Sequence, residues 1–189
     1  MQASNRVRNR LAVVLAGMLL AGGSWLAVHA AGPQKSEFAR TTIDIGVVVS
    51  DVNRAVKFYT EVIGFKEIQG FSVDADFCTS AGLTDHKKLD IRVLVLGDEA
   101  SATRLKLMEV PSADSKKSDN TFIHSQLGFS YLTVYVADGN QALERLGRAG
   151  VRPLAKGPVP LPADQTPGLA LAVVRDPDGN LIELIGPVR

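Results

Sequence analysis

Cysteine is almost missing from this chain: Cys78 is the only one in 189 residues. A lone cysteine forms no internal disulfide, so packing alone must hold the fold. Cys78 itself is read as a small buried apolar residue rather than a nucleophile. Tryptophan occurs once, at Trp25, and histidine three times. Beyond residue 30 only His86 and His124 remain, each in a polar stretch, and both are read as surface residues. That scarcity removes the donors that zinc, nickel and iron sites favour. An excess of either charge is also lacking. With 21 Lys and Arg against 20 Asp and Glu, net +1, nothing points to nucleic-acid binding.

The first thirty residues differ from the rest. Arg6, Arg8 and Arg10 form a basic start, and Leu11 to Val28 is an uncharged, mainly apolar run. Ala30 and Ala31 then supply small residues. This is the layout of a secretory signal peptide over 1–30, with cleavage expected after Ala30, so the protein is expected to be periplasmic or secreted. The alternative is membrane anchoring by residues 11–30, since the run is just long enough to span a bilayer. No cysteine follows it to carry a lipid, and the arginines are not adjacent, so a twin-arginine signal is unsupported. Cleavage would leave 159 residues, enough for one domain, with 18 basic residues against 20 acidic ones.

The remainder falls into two similar halves. Residues 43–49, IDIGVVV, predict a strand. Asp51 then opens a helix whose apolar residues Val52, Ala55, Val56, Tyr59, Val62 and Ile63 share one face, closed by Gly64. Residues 130–136, SYLTVYV, repeat the strand. Asp138 opens a second helix with Ala142, Leu143, Leu146 and Ala149 on one face, closed by Gly150. Each half then ends in paired strands: Ile91–Leu96 with Thr103–Val110, and Leu169–Val174 with Asn180–Ile185. Pro111 to Gly128 reads as a polar surface linker. The loop 157–168 carries four prolines and cannot be a central strand; it is either a stiff connector or a pocket rim.

The spacing strand–SD–helix–FYTEVIGF in the first half, with DPDGNLIEL closing the second, resembles the vicinal oxygen chelate superfamily. That group includes glyoxalase I, bleomycin-resistance proteins, extradiol dioxygenases and methylmalonyl-CoA epimerase. The resemblance covers about 42–187. It implies an α+β fold of two βαβββ modules, 42–110 and 128–187, joined by the linker 111–127, each curling a sheet around a cavity. It also implies four metal ligands, mostly His, Glu or Gln, on the first and last strands of each module. The matching positions here are Asp44, Lys106, Tyr131 and Glu183, so only Glu183 keeps the family's residue type.

That departure has chemical consequences. A charged lysine has three donors and no lone pair, and a neutral tyrosine is a poor ligand. No metal or other cofactor is therefore expected; a divalent ion on Asp44 and Glu183 is the fallback. Glu183 also interrupts an apolar strand, and a carboxylate there needs a partner. The expectation is that the Lys106 ammonium takes the metal's place between Asp44 and Glu183, with Tyr131 nearby. This is either a structural ion pair or the polar base of a ligand pocket. Strand alternation adds Arg104, Met108, Thr133 and Tyr135 to the candidate ligand-binding face. The favoured function is an exported, metal-independent protein that binds a small molecule. The alternative is an atypical lyase, isomerase or epimerase of the glyoxalase I type, with Asp44 and Glu183 as candidate catalytic groups. A non-catalytic interaction module is a third reading. The resemblance allows both a single chain and a homodimer that exchanges modules.

Overall fold

The computed structural model describes residues 39–40, 42–111, 113–164 and 166–188. The leader read at 1–30, with Trp25, lies outside the described residues. Among the described residues no helix is long and apolar enough to cross a membrane.

Strand β1 spans Asp44–Val48 and leads into helix α1, Val52–Lys57. Asp51 caps α1 as its spacing predicts: it has extended backbone, and its carboxylate accepts from the Arg54 amide at 2.9 Å. The helix does not stay regular. Phe58–Ile63 widens into a π-helical turn, which ends at Gly64 with φ of 104°. The amides of Gly64 and Phe65 both donate to the Tyr59 carbonyl. In the second half, β5 spans Tyr131–Tyr135. Helix α3, Gly139–Arg148, follows, with Asp138 accepting from the Gln141 amide at 3.1 Å.

The remaining elements of the first half are β2 (Lys66–Val73), α2 (Ala75–Ser80), β3 (Leu89–Val95) and β4 (Arg104–Glu109). Those of the second are β6 (Val159–Pro160), β7 (Leu169–Arg175) and β8 (Leu181–Pro187). Among the described residues two four-stranded sheets result, ordered β1-β4-β3-β2 and β5-β8-β7-β6. β1 runs parallel to β4 and β5 parallel to β8, while the other pairs are antiparallel. The fold is α+β, built from two βαβββ modules. The proline-rich loop supplies only β6, at a sheet edge, where a missing amide donor costs no ladder bond.

Alternation along the strands divides each sheet into two faces. On β4, Leu105 and Leu107 are buried in the core, while Arg104, Lys106 and Met108 take the other face. On β8, Ile182 and Leu184 are buried in the core, and Glu183 and Ile185 lie opposite. A single apolar cluster draws on both modules, from Tyr59, Ile63, Leu94 and Leu107 to Leu146, Val174 and Ile182. Burial of each of these side chains contributes about 1.5–3 kcal/mol. Cys78, on α2, is fully buried beside Ile91 and Val93, as a small apolar residue would be.

Candidate functional site

The face of the first sheet opposite the shared core carries a compact charge cluster beside the apolar patch that α2 covers. β1 and β4 pair in parallel register, which sets Asp44 opposite Arg104 and Gly46 opposite Lys106. The Lys106 ammonium reaches the Asp44 carboxylate, Nζ to Oδ2, at 2.8 Å. Arg40 approaches the same oxygen at 3.1 Å. The ammonium also stands 5.5 Å from the centroid of the Phe71 ring, a cation–π distance. Asp44 is 14% exposed and Lys106 26%. The other carboxylate oxygen, Oδ1, is buried with no hydrogen-bond partner. The hydrogen bond from Lys106 holds the Asp44 carboxyl below the usual carboxylate range; burial opposes this, and the charges of Lys106 and Arg40 reinforce it. Arg104 stays half-buried on the same face without an ion-pair partner among the described residues. Phe71 further lines an open cleft of about 640 Å³ along β2 and β3, with Ser72, Asp90 and Arg92.

The second sheet repeats the layout with different chemistry. Glu183 on β8 lies opposite Thr133 on β5, and Thr133 Oγ1 donates to Glu183 Oε2 at 2.7 Å. This hydroxyl is the partner that the carboxylate in an apolar strand requires. Tyr131 and Tyr135 flank Thr133 on the same face and are exposed, 48% and 75%.

Of the four family-matched positions, then, Asp44 and Lys106 come together. Glu183 and Tyr131 belong to the other sheet, and among the described residues no ion pair joins Lys106 to Glu183. The expected three-way convergence is replaced by two separate pairs, because each sheet closes its own register. Arg40 and Phe71 join the cluster without having been expected. Arg40 precedes the predicted strand, and nothing in the sequence marked β2. His86 and His124 are exposed, with His124 stacked on Phe122 at 5.6 Å. The donor set is thin for a divalent ion: Asp44 Oδ2 faces two cations and Lys106 has no lone pair while charged, which leaves Glu183, hydrogen-bonded through Oε2 to Thr133. Among the described residues no group of three His, Cys, Asp or Glu could hold a metal ion.

The DPDGN turn is a joint rather than a site. Asp176, 5% exposed, accepts from the Tyr59 hydroxyl at 3.0 Å, from the Asp178 and Asn180 amides, and from the Asn180 side chain. Burial, reinforced by the Asp176 charge, pushes the Tyr59 hydroxyl pKa well up. Asp178 accepts from the Ser50 amide at 3.0 Å and from the Ser50 hydroxyl. The two motifs that carry the resemblance are thus bonded to each other across the modules.

The sequence model of the Glyoxalase/Bleomycin resistance protein/Dioxygenase superfamily matches residues 41–184. Among solved structures, the chain is similar to a glyoxalase family protein from Bacillus cereus at 20% identity and a TM-score of 0.65, covering 83% of this chain and 99% of that one. It is also similar to the trypanothione-dependent glyoxalase I of Leishmania major, at 24% identity and a TM-score of 0.55, covering 78% and 87%. At these identities the likeness carries the fold alone. No curated protein matches the chain.

Proposed function

The chain belongs to the glyoxalase/bleomycin resistance protein/dioxygenase superfamily, and from that premise we propose that it is an exported, metal-independent protein that binds a small molecule. The observation that carries this reading is the Lys106–Asp44 contact at 2.8 Å. A lysine stands at a position where metal-dependent relatives place a ligand, and its ammonium supplies a fixed positive charge there. Phe71 beneath it, Met108 beside it and Arg104 two residues away give an apolar floor with a few polar groups, the usual make-up of a small-molecule site. Export rests on the basic start, apolar run and small-residue exit of residues 1–30. N-terminal sequencing of the protein recovered from outside the cytoplasm should begin at Ala31.

Metal content is the test of mechanism. Protein equilibrated with Mn, Fe, Ni and Zn, then desalted, should hold far less than one metal per chain by mass spectrometry. Near one metal per chain, lost on Glu183→Ala, would overturn the reading. It would favour the alternative, an atypical lyase, isomerase or epimerase, for which Glu183 at its family position is the supporting observation.

A further inference from the structure

We propose that the open face of the second sheet binds an organic ammonium ion through Glu183, Tyr131 and Tyr135. The inference rests on the small-molecule-binding reading above and names the chemistry of one ligand group. The hydrogen bond from Thr133 to Glu183 Oε2 leans the carboxylate toward β5. Tyr131 and Tyr135 stand two residues to either side of Thr133, each about 7 Å along the strand on the same face. Neither hydroxyl has a hydrogen-bond partner among the described residues, and both rings are exposed. Glu183 makes no ion pair among the described residues. Arg175, on the neighbouring strand, is committed elsewhere: its guanidinium donates to the carbonyls of Gly179 and Thr121.

A carboxylate without a cationic partner, on a face that also carries two exposed aromatic rings, attracts a cation. The kind of cation follows from the surroundings. Val173 and Ile185, half-buried on the same face, offer contact for alkyl groups. A compact, strongly hydrated metal ion would find one carboxylate and two phenol oxygens, too few oxygen donors to replace its water. An alkylammonium group carries its charge on an apolar surface that ring faces and aliphatic side chains can both cover. The corresponding face of the first sheet carries Lys106 and Arg104 and repels such a group, so binding is confined to one module.

The test titrates EDTA-treated full-length protein with choline, and with its neutral isostere 3,3-dimethylbutan-1-ol, followed by ligand-observed NMR. Choline should bind about tenfold or more tightly than the alcohol, the difference that one cation–π and carboxylate contact supports. Glu183→Gln keeps an acceptor for Thr133 and should weaken choline about tenfold, as should Tyr135→Leu. Glu144→Gln, an exposed carboxylate on α3, should change nothing. Equal binding of choline and the alcohol, no binding of either, or binding that survives Glu183→Gln would each overturn the ammonium site. Any of these with metal content still near zero leaves the binding-protein reading intact. A stoichiometric metal lost on Glu183→Ala overturns that reading instead.

Discussion

Lys106 is the residue on which the chemistry of the first sheet turns, and its replacement is informative because its surroundings are only partly wet. Lys106→Met keeps an unbranched stem over Phe71 and removes the charge. Asp44 is then left with Arg40 alone, whose side chain is 55% exposed. The expected loss is about 1–2 kcal/mol by urea denaturation, below a fully buried pair because solvent still reaches Lys106. The pH dependence follows from the same contact. The folded-state pKa of Asp44 is depressed, so its contribution is fully present above the unfolded value, near pH 4, and is lost as pH falls through the folded value. Lys106→Met shrinks that difference. Unfolding measured from pH 7 to 2 should therefore show lower stability at pH 7 and a shallower acid decline than in the parent protein. Of this cluster, Asp44 and Lys106 were named in the sequence through the superfamily resemblance, and Arg104 and Met108 through strand alternation. Arg40 and Phe71 were not, because contact with a lysine headgroup depends on which strands become neighbours.

At the scale of elements, α1 shows how a local pattern meets a tertiary demand. The apolar spacing from Val52 to Ile63 predicts an unbroken helix, and its caps Asp51 and Gly64 stand where that spacing puts them. The last turn nevertheless widens. Its Val62 carbonyl accepts from Arg145 Nε at 2.7 Å and its Ile63 carbonyl from Nη2 at 3.0 Å, both from α3 in the other module. Helix ends leave carbonyls without partners, and a guanidinium fork can serve two at once. Arg145→Met should cost about 1.5–3 kcal/mol, the worth of charge-assisted bonds to half-buried carbonyls. Arg145→Lys should restore only part of it, because a single ammonium does not reproduce the fork. Denaturant midpoints of the three proteins check this. The short edge strand β6 and helix α2 escaped the sequence reading for a related reason: each is too short to show a period, and each packs on or pairs with an element distant in sequence.

At the scale of the whole molecule, the two modules share one core and are tied by polar contacts that include Tyr59–Asp176, Ser50–Asp178 and the Arg145 bonds to Val62 and Ile63. They should therefore unfold together. Tyr59→Phe removes one donor from a buried aspartate, at a cost of about 1–3 kcal/mol. Far-UV circular dichroism and Tyr fluorescence should still report a single coincident transition; two separated transitions would contradict a shared core. The sequence by itself determined the strand and helix seeds, their caps, the twofold repetition and the superfamily, because these depend on residue period and on motifs a few residues long. The resemblance also carried the expectation that Lys106 stands at a ligand position, a matter of residue identity that needs no coordinates. Only the tertiary structure decided the pairing. Lys106 went to Asp44 and Glu183 to Thr133, because β1 pairs with β4 and β5 with β8, and a side chain bonds what its neighbouring strand presents within about 3 Å.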